Sequence, residues 1–149
     1  MKIVQTVEIK APVATVWDAI IDHEKFGEWF RCRLDQPFAE GEMSTGMMTY
    51  PGSEHVAWLA KVIRIETEKC LEFSWPPYVP DESVDLSQEP WMHCRFELEE
   101  IDGGTRLTIT ESGFDKLSPA IRDDARRSNE QGWKIQAGHI TDYVTQNSQ

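Results

Sequence analysis

Apolar and polar residues alternate in several short stretches of this chain, and a spacing of two is typical of β-strands. Residues 2–10 predict a first strand, because both of its faces carry β-prone side chains. Residues 43–50 and 54–66 predict a hairpin around Pro51-Gly52-Ser53. The apolar positions change parity near Val62-Ile63, which favours a β-bulge there.

Three more strands are predicted in the second half of the chain. Leu71, Phe73 and Trp75 alternate in one of them. Residues 92–98 and 107–111 alternate in the other two, which the tight turn Asp102-Gly103-Gly104 joins. The chain is therefore expected to form an antiparallel sheet of hairpins.

Two short helices are predicted directly after the first strand. Pro12 suits the first turn of a helix, where its missing N–H costs nothing. Val13, Val16, Trp17 and Ile20 then form one apolar helical face. Asp22 is an acceptable cap for a second helix that ends near Gly27.

One long helix is predicted after Ser118-Pro119. Its inner stripe comprises Ile121, Ala125, Asn129, Gly132, Trp133, Gln136, Ala137, Ile140, Tyr143 and Val144. The middle of the stripe is small and polar, and a glycine costs about 1 kcal/mol relative to alanine in a helix interior. This composition predicts a helix held away from the sheet at its middle, which would leave a cavity. The alternative is close helix–sheet contact through the glycines.

Residues 76–90 separate the strand that ends at Trp75 from the next one, and they are rich in proline and acidic side chains. A loop of this length within a compact domain is uncommon, and such loops often serve as lids or binding loops. The alternative is a disordered surface insertion.

Charge and cysteine content exclude several classes of protein. The net charge of -11 repels phosphate backbones and anionic lipid heads, so we expect neither nucleic acid nor a membrane as partner. The three cysteines lack CxxC spacing, and the four histidines lack metal-ligand spacing. We therefore expect no metal and no cofactor. We also expect a cytoplasmic location, since no apolar run approaches the about 20 residues of a membrane span.

Five short motifs occur in a fixed order along nearly the whole chain. They are Ala11-Pro12-Val13 with Val16-Trp17, Trp29-Phe30, Leu71-Glu72-Phe73-Ser74-Trp75, Gly104-Thr105-Arg106-Leu107-Thr108-Ile109-Thr110 with Gly113-Phe114, and Gly132-Trp133. In this order they resemble the START-like or SRPBCC superfamily. Within it, the chain resembles the group named after the C-terminal domain of the activator of heat shock protein 90 ATPase.

The resemblance implies an α+β helix-grip fold, as in START domains and the birch pollen allergen. In that fold a curved antiparallel sheet surrounds a long C-terminal helix, with two short helices after strand 1 and a hydrophobic cavity inside. We expect residues 1–149 to form a single domain of this kind. The segment 76–90 is longer than is usual for the family, so the shape of the cavity mouth stays open.

Glu111 is the candidate for chemistry, because its parity with Leu107 and Ile109 points it inward. A carboxylate among apolar neighbours needs hydrogen-bond donors, so Glu111 is read as a ligand anchor or a general acid or base. The alternative is a strand end that leaves the core, where Glu111 reaches water or a helix cation. Cys94, also inward, is expected to be a small core residue.

Three functions fit these observations. The first is binding of a small hydrophobic or amphipathic molecule by Trp58, Phe73, Trp75, Met92, Cys94, Phe96, Glu111, Trp133, Gln136, Ala137 and Ile140. The second, implied by the resemblance, is interaction with a chaperone or another protein. The third is a cyclase or dehydratase type of enzyme, although no catalytic residue is assigned and Glu111 is the sole inward acid or base. We expect a monomer or a homodimer, and an exposed Tyr78 or Trp91 would fit a dimer contact.

Overall fold

The computed structural model describes residues 2–147, and Asn147 by its backbone only. The elements, in chain order, are β1 (Lys2–Ile9), α1 (Val13–Ile21), α2 (His23–Phe30), β2 (Cys32–Leu34), β3 (Met43–Met48), β4 (Ala57–Glu66), β5 (Cys70–Trp75), β6 (Met92–Ile101), β7 (Gly104–Ser112), a 3₁₀ turn (Phe114–Lys116) and α3 (Pro119–Asn147).

The strands form one 7-stranded sheet in the order β1-β7-β6-β5-β4-β3-β2, and the paired strands are antiparallel. The first and last strands are neighbours, with Lys2 opposite Ser112 and Ile9 opposite Thr105. The two short helices link β1 to β2 at the two edges of the sheet. Helix α3 packs against the inner face, where the Trp133 ring contacts those of Trp75 on β5 and Phe96 on β6. The α+β helix-grip fold that the family resemblance implies is confirmed.

The predicted β-bulge is confirmed, since the register between β4 and β5 shifts between Val62 and Arg64. The predicted end of the second helix near Gly27 is wrong. Asp22 caps α2 as expected, but the helix continues to Phe30, where Arg31 adopts a left-handed φ of 73° and its N–H bonds to the Gly27 carbonyl. A left-handed residue at this position is usually glycine, so Gly27 carries the local signal for a helix end, whereas the actual end at Arg31 lacks it.

An aromatic cluster joins α2 to the sheet. Phe26 is fully buried, and its ring centroid lies between 4.8 and 6.4 Å from those of five other rings, namely Trp29, Phe30, Phe38, Trp58 and Phe96. Such pairs contribute about 0.5–1.5 kcal/mol each beyond the burial of their area. The cluster therefore fixes the C-terminal end of α2 beside β4 and β6.

Helix α3 turns the predicted stripe toward the sheet: six of its ten residues are buried, while Asn129, Gly132, Gln136 and Tyr143 are half-buried. Ile121, Ala125, Trp133, Ala137, Ile140 and Val144 are buried. The alternative of close contact through glycines is wrong, because a Cβ built at Gly132 or Gly138 would meet no described atom within 4 Å.

The segment between β5 and β6 has no helix or strand, yet it is attached to the rest of the protein. Val79 is buried, and Val84 and Leu86 pack against the core. At its end, the Glu89 carboxylate accepts hydrogen bonds from the Ser118 N–H (2.8 Å) and the Ser118 hydroxyl (2.6 Å), just before α3 begins. The alternative of a disordered insertion is therefore wrong, and a role as a lid or binding loop stays a prediction.

Candidate functional site

A cleft of about 430 Å³ lies where the middle of α3 faces the β3–β4 hairpin and the end of β5. Tyr50 and Val56 belong to the hairpin side, Trp75 and Tyr78 to the end of β5 and the loop after it, and Ile135 to α3. The lining also includes Phe30, Met48, Ser53, Ala57, Trp58, Leu59, Pro76, Pro77, Ser128, Asn129, Gly132, Trp133 and Gln136. The walls are thus mainly aromatic and aliphatic, which is the usual composition of a small-molecule site.

The structure divides the predicted ligand-binding residues into two groups. Trp58, Trp75, Trp133 and Gln136 line the cleft. The remaining ones are buried in the core behind it, namely Phe73, Met92, Cys94, Phe96, Glu111, Ala137 and Ile140. Contact of any of these residues with a ligand stays a prediction.

Alternation along a strand shows which face a side chain takes, but not how deep it lies under other elements. Phe96 and Phe73 do point to the inner face, where ring contacts with Trp133, Trp58 and the α2 aromatics cover them. The sequence analysis does not predict the cleft residues of the β3–β4 hairpin and of the loop after β5, such as Tyr50 and Tyr78. The available signal was an aromatic residue directly beside each proline-rich turn.

Three N–H donors from two elements, β5 and α3, bond to the Glu111 carboxylate. The Trp75 indole N–H on β5 donates to Oε2 (2.7 Å), and the Trp133 indole N–H on α3 donates to Oε1 (2.9 Å). The Asn129 amide on α3 lies 2.9 and 3.0 Å from the two oxygens. We call Glu111, Trp75, Asn129 and Trp133 the Glu111 cluster. The side chain is 0% exposed, so the alternative in which Glu111 reaches water or a helix cation is wrong.

Two opposing effects act on the ionisation of Glu111. Burial raises the pKa of the carboxyl above its usual range, while hydrogen bonds from Trp75, Trp133, Asn129 and the Cys94 thiol lower it in part. Burial and the nearby Glu111 also raise the pKa of the Cys94 thiol well above its ordinary value. Cys94 is therefore a protonated thiol in the core, and an unactivated one.

The Glu111 cluster holds the floor of the cleft together. Its three donors all line the cleft, whereas the carboxylate itself lies behind them. The rings of Trp75 and Trp133 stack with centroids 5.5 Å apart and an interplanar angle of 27°. Since an indole N–H can only donate, each ring is tied to one orientation by the same carboxylate. Glu111 is thus a positioning residue rather than a group open to the cleft.

Gln136, the other predicted polar anchor, also bonds within the protein. Its amide N–H donates to the Phe30 carbonyl at 2.9 Å, and its Oε1 lies 3.0 Å from His139 Nδ1. The side chain therefore joins the end of α2 to α3 at one wall of the cleft.

Within residues 2–147, no group of three or more His, Cys, Asp or Glu side chains is placed to hold a metal ion. None of the helices described has the length and apolar character needed to cross a membrane.

Comparison with known proteins identifies the family. Residues 10–145 match the sequence model of the family described as "Activator of Hsp90 ATPase homolog 1-like protein". The chain belongs to this family. The resemblance expected from the sequence motifs is thereby confirmed. A search of curated proteins gives no match.

Solved structures with the same fold are distant in sequence. MLL2253 from Mesorhizobium loti is 20% identical with a TM-score of 0.75, and the match covers 98% of each chain. A protein from Arthrobacter aurescens is 18% identical with a TM-score of 0.76, covering 97% of this chain and 86% of the other.

DynU16, a protein in the dynemicin biosynthetic locus, is 20% identical with a TM-score of 0.74. The match covers 97% of this chain but 47% of DynU16, so the chain spans about half of that protein. At these identities the likeness of all three structures concerns the fold, because one fold hosts many functions.

Proposed function

We propose that this member of the family binds a small hydrophobic or amphipathic molecule in the cleft between the sheet and α3. The observation that carries the proposal is the open apolar space beside the middle of α3. A cleft of about 430 Å³ falls within the usual size range of small-molecule sites. Burial of apolar surface on binding contributes roughly 25 cal/mol per Å² before the costs of association.

The composition of α3 supports the same proposal. The helix carries glycine at position 132, where a Cβ would meet no described atom within 4 Å, although an apolar side chain there could fill the space. Glycine at this point keeps the cleft open at a cost of about 1 kcal/mol in helix stability. A ligand that occupies the space would explain why the helix has glycine at this position.

The test is a fluorescence titration with N-phenyl-1-naphthylamine, an uncharged aromatic dye that brightens in apolar sites. Wild-type protein should bind the dye saturably, and Gly132→Phe, which places a ring in the cleft, should weaken binding at least tenfold. Gly138→Phe is the matched control, because Gly138 is exposed on the same helix and does not line the cleft. Equal binding by wild type and Gly132→Phe, with both folded, would show that the dye does not occupy the cleft.

A second candidate function is interaction with a heat shock protein 90 homologue. It is supported by the name of the family and by the apolar rim of the cleft, where Tyr50 (41%), Tyr78 (47%) and Ile135 (41%) are exposed. The protein would then alter the ATPase rate of the chaperone, and the triple change Tyr50→Ser, Tyr78→Ser and Ile135→Ser should abolish that effect. An unchanged ATPase rate at saturating protein would eliminate this candidate.

Catalysis forms no part of the proposal. The inward carboxylate, Glu111, is covered by Trp75, Asn129 and Trp133, which occupy both of its oxygens. A general acid or base must reach the proton it transfers, and in this arrangement the donors of the protein stand in between.

A further inference from the structure

We propose that the charge of Glu111 makes the cleft reject anionic ligands, so that its ligand is an amphipathic or aromatic molecule without negative charge. This inference rests on the proposed function and names the class of ligand that the same cleft takes. Glu111 would act as a specificity determinant from behind the wall, without touching the ligand.

The cleft carries no charged side chain on the part of its wall that the structure describes. Its lining residues carry aromatic, aliphatic, thioether, hydroxyl or amide side chains or are glycine, and none of them is Lys, Arg, His, Asp or Glu. An anionic headgroup would therefore find no cation among the described residues of the wall. Polar recognition is limited to neutral groups such as those of Ser53, Ser128 and Asn129.

The hydrogen-bond partners of Glu111 favour its charged form. Its partners Trp75, Trp133 and Asn129 all present N–H groups to the carboxyl oxygens. A protonated carboxyl would have to direct its own hydrogen at one of these donors or away from them, so the geometry favours the carboxylate. Among the described residues, the titratable group that faces Glu111 is the Cys94 thiol of β6, since the donors on β5 and α3 do not titrate.

No cation of the described residues pairs with the Glu111 carboxylate. Among the ion pairs of the described residues, none includes Glu111. Three of the residues bonded to it form part of the cleft wall, so the carboxylate lies one side chain away from a bound molecule. A buried charge is screened by salt much less than a surface charge. The repulsion of an anion in the cleft should therefore persist at high ionic strength.

Two dyes with one scaffold test the proposal. N-phenyl-1-naphthylamine is neutral, and 8-anilino-1-naphthalenesulfonate carries the same rings with a sulfonate. Repulsion between like charges about 10 Å apart, at an effective dielectric constant of about 20, corresponds to roughly a tenfold change in affinity. We expect the anionic dye to bind wild-type protein at least tenfold more weakly, in both low and high salt.

The difference must depend on Glu111. In Glu111→Gln the affinity for the neutral dye divided by that for the anionic dye should fall severalfold. In Glu100→Gln, which removes the same charge from an exposed position on β6, the ratio should stay as in wild type. This control separates the buried carboxylate from the general acidity of the surface, which has a net charge of -11.

A second measurement covers the case in which Glu111→Gln does not fold. The charge state of each dye is constant between about pH 4 and 8, so binding to wild-type protein can be measured across this range. High salt screens the charges of the surface carboxylates, so that their titration has little effect on binding. The affinity for the sulfonate dye should rise as the pH falls and Glu111 takes up a proton, while that of the neutral dye stays constant. The reverse trend, or two parallel curves, would overturn the proposal.

The outcomes separate this inference from the proposed function. If the neutral dye binds and Gly132→Phe blocks it, but the affinity ratio responds neither to Glu111→Gln nor to pH, only the charge selectivity is wrong. If neither dye binds wild-type protein, the proposed function itself fails, and the inference fails with it.

Discussion

Replacement of the two glycines of α3 by alanine tests whether the helix stands away from the sheet. Gly132 lies on the inner side and lines the cleft, whereas Gly138 is exposed. At both positions a Cβ would meet no described atom within 4 Å. A methyl group therefore adds helix propensity at both positions without meeting a neighbour.

The expected gain follows from the cost of glycine in a helix interior. Alanine is favoured over glycine by about 0.8–1 kcal/mol, so Gly132→Ala and Gly138→Ala should each raise the free energy of unfolding by about that amount. For a chain of this length, 1 kcal/mol corresponds to a rise in Tm of about 2–4 °C. Gly104→Ala should do the opposite, because its Cβ would lie 2.1 Å from the Ile9 carbonyl oxygen. The overpacking should cost about 1–3 kcal/mol or more.

The assay is urea unfolding followed by far-ultraviolet circular dichroism. The midpoint should move upward for Gly132→Ala and Gly138→Ala with an unchanged slope, which indicates a change in stability rather than in the compactness of either state. If Gly138→Ala stabilises the protein while Gly132→Ala destabilises it, the helix packs closely at Gly132. That result would refute the open cleft and the argument built on it.

Two further predictions concern buried polar groups. Burial raises the pKa of the Glu111 carboxyl in the folded protein above its ordinary value of 4.5, so the folded state keeps a proton at pH values where the unfolded state has lost it. The free energy of unfolding should therefore fall as the pH rises above 4.5 and until Glu111 of the folded protein has ionised. Urea unfolding from pH 4 to 8 should show this trend in wild type, and an identical trend in Glu111→Gln would contradict it. Thr105 is fully buried and its hydroxyl donates to the Ala11 carbonyl at 2.8 Å, so Thr105→Val should cost about 1–3 kcal/mol. The control Thr108→Val, on the other face of β7, should cost far less, and equal losses would show that the buried hydrogen bond is not responsible.

Local patterns in the sequence predict most of the elements of this fold. Alternation along residues 92–98 and 107–111 shows the inner face of β6 and β7, and the change of parity at Val62-Ile63 locates the bulge. These features depend on neighbours along the chain, which the sequence contains. The end of α2 does not follow from such local patterns, because Arg31 adopts a left-handed conformation that glycine usually supplies.

The site was less predictable because it depends on which elements meet. Inward parity identified Glu111, but its donors Trp75 and Trp133 come from β5 and α3, and no local period relates those positions to β7. The alternation also does not show how far a side chain lies from the cleft, since Phe96 and Trp58 share the inner face and, of these two, only Trp58 lines the cleft. The wall at Tyr78 belongs to an irregular loop, whose path follows from tertiary contacts such as those of Val79 and Glu89.

A crystal structure of the protein with N-phenyl-1-naphthylamine tests the central claim most directly. The account predicts dye density between α3 and the β3–β4 hairpin, in van der Waals contact with Trp75, Gly132 and Ile135, with the Glu111 hydrogen bonds retained. A cleft closed by its own side chains, or dye bound only at another surface, would contradict the account.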